Sequence, residues 1–138
     1  MEDPGEDRAP PTLPLEELYA FVAVARRWAE HGRVEDAQAI LEGLADLEPE
    51  RTFLRTSLGC LFMKLDRVED ALAAFEAALE QDPNDVAALT HAGELNLEKG
   101  QRERGLGLLG AAAKLDPEET NPHAGRARTL QALAEAGT

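Results

Sequence analysis

Apolar residues return along this chain at the spacing of a helical face. Phe21, Val24, Ala25 and Trp28 stand at i, i+3, i+4 and i+7, and related spacings recur as Ala37, Leu41, Leu44, as Ala71, Phe75, Ala78, and as Leu89, Ala92, Gly93. At 3.6 residues per turn such positions share one side of a helix. Gly32, Asp66 and Gly100 fall between the stripes, where a left-handed or tight conformation ends a helix. The pattern predicts an all-α chain with helices over 15–31, 34–47, 51–64, 68–81, 85–99, 102–115 and 122–136. In the last of these Pro122 suits a first turn, and Ala127, Leu130, Leu133 and Ala134 form an apolar stripe opposite Arg126, Arg128 and Glu135.

The helices repeat in pairs. Prolines stand at 49, 83 and 117, each preceded by an acid (Glu48, Asp82, Asp116), and the pentapeptide Arg-Val-Glu-Asp-Ala occurs at 33–37 and again at 67–71. Both signals give a period of 34 and units over 18–51, 52–85 and 86–119. A single helix pair cannot bury its apolar face, so the units must stack, and the helix over 122–136 is suited to cap the stack. A 34-residue helix-turn-helix unit with a late proline resembles the tetratricopeptide repeat. The resemblance implies three repeats in a right-handed superhelical solenoid plus a capping helix, forming one domain over 15–138. In that family the first helix carries a large residue at its fourth position, an aliphatic at the seventh, a small residue at the eighth and an aromatic at the eleventh. Here they read Phe21, Val24, Ala25, Trp28, then Arg55, Leu58, Gly59, Phe62, then Leu89, Ala92, Gly93, Asn96, so Arg55 and Asn96 depart. In the second helix, Leu44 stands where a small residue is expected.

Composition narrows the function. A net charge of −13 leaves no basic stripe for a phosphate backbone or an anionic membrane surface. Residues 1–14, with Glu2, Asp3, Glu6, Asp7 and four prolines, read as a disordered acidic tail, neither a secretory signal nor a span. One cysteine excludes an internal disulfide framework and fits a reducing, cytoplasmic setting. Chemistry-bearing patterns fare poorly. Gly105 to Gly110 spell the dinucleotide fingerprint, but a helix precedes them where that motif needs a strand, so the glycines are expected to mark close packing in a weakened helix. His31, His91 and His123 have no metal-ligand spacing and are expected at surfaces or turns; Cys60 has no base beside it; and pairs such as Glu16 with Glu17 and Glu118 with Glu119 read as solvated faces. No catalytic residue, metal site or cofactor is expected.

Function is then expected in the concave groove lined by the first helices. In the family the second, fifth, ninth, twelfth and thirteenth positions face it. The residues expected to bind here are Tyr19, Val22 and Arg26, then Phe53, Thr56, Cys60 and Met63, then Thr90, Glu94 and Leu97. Repeat proteins that grip acidic chaperone tails use Lys and Asn at the fifth and ninth positions, and Val22, Thr56, Cys60 and Glu94 do not make that clamp. An apolar groove for an extended peptide or protein client is expected, with Tyr19, Phe53, Met63 and Leu97 as anchors. Within the family, stretches such as Glu17-Leu18-Tyr19-Ala20, Leu58-Gly59-Cys60 and His91-Ala92-Gly93-Glu94 resemble the class II chaperones of type III secretion systems. That resemblance implies a non-catalytic chaperone that holds an extended segment of a translocator, and a homodimer through N-terminal helices. A generic adaptor of a bacterial motility, pilus or signalling assembly is the other reading.

Overall fold

The computed structural model describes residues 13–118 and 120–137. The expected tail lies outside them except for Leu13 and Pro14. The described residues form seven helices and no strand: α1 (Leu15–Glu30), α2 (Val34–Leu47), α3 (Phe53–Lys64), α4 (Val68–Gln81), α5 (Val86–Glu98), α6 (Arg102–Leu115) and α7 (Pro122–Ala136). Each agrees with its predicted span to within two residues. The chain divides into two compact units, one ending at Arg51 and the other beginning at Thr52, the boundary between the first two repeats.

The turns follow the expected logic. Gly32, Asp66 and Gly100 take φ of +86°, +58° and +81°. The residue after each donates its N–H back across the last helical turn: Arg33 to the Trp28 carbonyl at 2.8 Å, Arg67 to Phe62 at 2.9 Å and Gln101 to Asn96 at 2.8 Å. This closes carbonyls that a helix end leaves open. The repeated pentapeptide has a job here. Arg33 lies 4.2 Å over the Trp28 ring and bonds Asp36 at 3.0 Å, and Arg67 lies 4.7 Å over Phe62 and bonds Asp70 at 2.9 Å. The ion pairs are exposed and contribute little by themselves, whereas a cation over a ring adds about 0.5–1 kcal/mol. The third repeat abandons the device. Asn96 takes the aromatic's place, is buried, and donates its amide to the Ala92 carbonyl at 2.7 Å.

In the first unit α1 packs on α2. The Pro14 carbonyl accepts from the N–H groups of Glu17 and Leu18, and the Leu13 N–H donates to the buried Glu48 carboxylate, so the acid before Pro49 ties the start of α1 to the end of α2. The buried stripe is Leu18, Val22, Ala25 and Ala29, facing Ala37, Leu41, Leu44 and Ala45. It is rotated from the expected face, leaving Phe21 42% exposed with Val24 and Trp28 half-buried. With one partner helix in its unit, α1 has one stripe to bury.

In the second unit α3 pairs with α4, α5 packs on α4 and α6, and α7 covers α5 and α6. Small residues set the approach. A Cβ on Gly59 would sit 2.5 Å from the ring of fully buried Phe75, and one on Gly93 would meet Leu109 at 2.8 Å. Ala25, Gly59 and Gly93 are all buried, as the register requires. The cap closes on Leu89, Leu109, Ala112 and Ala127, with Leu130 against them. Leu133, expected in the cap stripe, is 66% exposed, and Ala124, one turn before Ala127, is buried in addition.

Candidate functional site

Helices α3, α5 and α7 form a row in the second unit, joined by side chains at corresponding places. The Thr56 hydroxyl donates to Asp85 Oδ2 at 2.7 Å, while Asp85 Oδ1 caps α5 by accepting from the Ala88 N–H at 3.0 Å. One repeat later, the Thr90 hydroxyl lies 2.8 Å from the Val86 carbonyl and 3.1 Å from the His123 carbonyl. Asn121 caps α7 by accepting from the His123 N–H at 2.9 Å, and Pro122 occupies the first turn. Each such partly buried bond is worth about 1 kcal/mol.

This seam removes part of the expected groove. The fifth position is buried in all three repeats, with Val22 9% exposed, Thr56 7% and Thr90 0%. The threonine hydroxyls are used in joining one helix of the row to the next, so neither is presented to a client. Leu97 also leaves the groove: its side chain packs against the α5–α6 approach, where a Cβ on Gly105 would come within 2.9 Å of it. Glu94 is largely covered, its side chain 16% exposed and bonded at 2.6 Å to Arg126 of α7. Phe53, Cys60 and Met63 remain, all half-buried on α3 and placed to present partial surfaces. In the first unit Tyr19 is 54% exposed and Arg26 is exposed, separated by two helical turns of α1.

One cluster escaped the sequence reading. His91, expected at a surface, stacks on Phe75 with ring centroids 5.3 Å apart, and meets His123 edge-on at 5.3 Å. Burial, reinforced by the neighbouring His123, lowers the pKa of His91 below the ordinary value of 6.5. A signal was available. Carrying the period of 34 one unit further puts His123 at the fourth position of a fourth first helix, the large-residue slot, and Ala127 at the small one. Nearby, the Asn121 N–H and the Thr120 hydroxyl bond the Asp116 carboxylate and hold its pKa below the ordinary range, fixing the turn that aims α7. Among the described residues no group of three or more His, Cys, Asp or Glu is arranged to hold a metal ion, and no helix is long and apolar enough to cross a membrane. Gly105 to Gly110 lie inside α6.

SycD, the type III secretion translocator chaperone of Yersinia enterocolitica, is similar at a TM-score of 0.74 and 17% identity, over 91% of this chain and 88% of its own. PcrH, known from Pseudomonas aeruginosa, is similar in its complex with the chaperone binding region of PopD, at 0.73 and 23% over 90% and 95% of the two chains. The first repeat domain of Spaghetti (RPAP3), bound to an HSP90 peptide, is similar at 0.71 and 12% over 91% and 95%. No curated protein matches the sequence. The family model described as tetratricopeptide repeat matches residues 62–132, just over half of the chain, from the end of α3 into the cap. Helices α4 to α6, the left-handed turns at Asp66 and Gly100 and the Gly93–Leu109 approach lie in that span, and the chain belongs to the tetratricopeptide-repeat family.

Proposed function

We propose that this chain is a non-catalytic cytoplasmic chaperone that holds an extended segment of a translocator-like client, and that it pairs with a second copy of itself. The observation that carries the reading is the likeness to SycD and to PcrH with the PopD chaperone binding region, which spans nearly the whole of both chains in each comparison. The surface chemistry agrees with it. Phe53, Cys60 and Met63 offer an apolar, adaptable strip on α3, and a thioether shapes itself to varied side chains. In the first unit Tyr19 and Arg26 are exposed on α1 and are candidate contacts by themselves. The likeness to an HSP90-peptide binder supports a second reading, a generic adaptor. The ninth position of the second and third repeats argues against the acidic-tail form of it, because Cys60 supplies no cation and Glu94 is an acid.

Two variants test the reading. Phe53→Ala and Met63→Glu are each expected to weaken client binding by about 2 kcal/mol, roughly thirty-fold, with the thermal midpoint little changed. The client is obtained by affinity capture from the host lysate with Met63→Glu as control, and affinities follow by calorimetry. A secreted amphipathic protein lost by the variant supports the chaperone. Recovery of a pilus, motility or signalling component identifies the adaptor, and unchanged affinity moves the site off α3.

A further inference from the structure

Beside the apolar contact of Leu89 with Ala127, the cap helix α7 meets α5 through a short polar seam that contains two imidazoles. The seam consists of the Thr90 hydroxyl at the His123 carbonyl, the Glu94–Arg126 pair, and the ring of His91 set between Phe75 of α4 and His123 of α7. His91 Nδ1 is buried and has no hydrogen-bond partner. A neutral ring can leave that nitrogen as a bare acceptor. A protonated ring must place an N–H there with nothing to receive it, and must hold its charge beside a second imidazole.

We propose that His91, set between Phe75 and His123, is an acid-sensitive latch, which seats α7 on α5 when its ring is neutral and loosens it when the ring takes up a proton. Burial sets the sign, and the groups around His91 modify it. Glu94 and Asp85, on α5 and at its cap, favour the imidazolium; His123 and Arg126, both from α7, oppose it. From α4 comes the uncharged Phe75, whose ring face gives a cation partial compensation. Asp85 accepts the Thr56 hydroxyl of α3, and α6 meets α5 through Gly105 and Leu109, which carry no charge. Burial, with His123 and Arg126 of α7, outweighs the acids, so the seated state binds fewer protons than the unfolded one. Its stability is complete above the ordinary histidine value near 6.5 and falls as pH drops below that value toward the lower folded-state one. Burial opposes the charge most, and both of the groups that oppose it electrostatically belong to α7, so separating α7 from α5, which wets the ring on that side and removes both, is the motion that relieves it. Unlatching uncovers Leu89, Ala112 and the Thr90 hydroxyl at the end of the α3–α5–α7 row.

The test is amide hydrogen exchange of the full chain at about pH 7.5 and about pH 5.5, with α7 protection expressed relative to α4 so that intrinsic exchange cancels, beside an NMR titration of the histidine ring protons. Relative α7 protection is expected to fall on acidification, by up to about tenfold for each pH unit by which the His91 titration is displaced. His91→Gln and His123→Gln are each expected to flatten that dependence. Protection of α7 that is independent of pH in the unaltered chain overturns the latch, as does an equal acid loss in both variants. The first outcome needs no variant to fold.

Discussion

Phe75→Ala is expected to lower the unfolding free energy by about 3–5 kcal/mol, a large share of the roughly 5–15 kcal/mol of a typical domain. The ring is fully buried and serves two neighbours: it lies over Gly59 of α3, and its face carries His91 of α5. Truncation empties space beside both first helices at once, and neither glycine nor a half-buried imidazole can collapse into it. Gly59 provides the sharper part of the prediction. In the unaltered chain Gly59→Ala puts a Cβ 2.5 Å from Phe75 Cε1, and a fully buried ring has nowhere to go, so overpacking costs about 1–3 kcal/mol. In the Phe75→Ala background the same methyl enters the vacated space and brings alanine's helix propensity, about 1 kcal/mol better than glycine's. The sign of Gly59→Ala should therefore reverse between backgrounds. Urea unfolding of the four proteins of the cycle measures this, and additive effects would show that ring and glycine do not share the space.

That coupling shows which parts of the molecule were legible beforehand. Helix spans and turns were, because each depends on a few residues close in sequence: an apolar stripe, Gly32 or Gly100 at a left-handed position, Pro122 at a helix start. The period of 34 then paired the helices without any long-range information. The groove was less legible, because which side of a first helix faces outward depends on how many neighbours it has. Helix α1 buries Leu18, Val22, Ala25 and Ala29 and leaves Phe21 exposed, whereas α5, with α4, α6 and α7 against it, buries Leu89 at the position equivalent to Phe21 and draws Thr90 wholly inside. Thr56 and Thr90 read as groove residues in an isolated repeat and become fasteners once the next helix arrives. The contact of His91 with His123 was missed because the register stopped at 119, one helix short of the row they share. Tyr19, Phe53, Cys60 and Met63 kept partial exposure, and their role rests on the binding measurements rather than on burial.

Two glycines of α6, two residues apart, should respond to alanine with opposite signs. Gly107 is exposed in the helix interior and a Cβ there meets nothing within 4 Å, so Gly107→Ala is expected to stabilise by about 0.5–1 kcal/mol, through helix propensity and a less free unfolded chain. Gly105 faces α5. A Cβ there would come 2.9 Å from the Gly93 carbonyl oxygen and 2.9 Å from Leu97, and the same oxygen–carbon approach recurs in reverse, at 3.1 Å, for a Cβ on Gly93. A carbonyl inside a helix cannot swing aside without breaking its own ladder, so α5 and α6 must move apart. Gly105→Ala is expected to cost about 1–3 kcal/mol after its propensity gain. Both variants unfold by loss of helical circular dichroism, so one urea series compares them directly. Stabilisation by both would mean that the α5–α6 approach relaxes freely. Destabilisation by both would mean that Gly107 is held by something other than its open surroundings. Opposite signs would assign these two of the helix's three glycines to two causes: one residue fixed by the closeness of two backbones, and one that weakens α6 without any packing return.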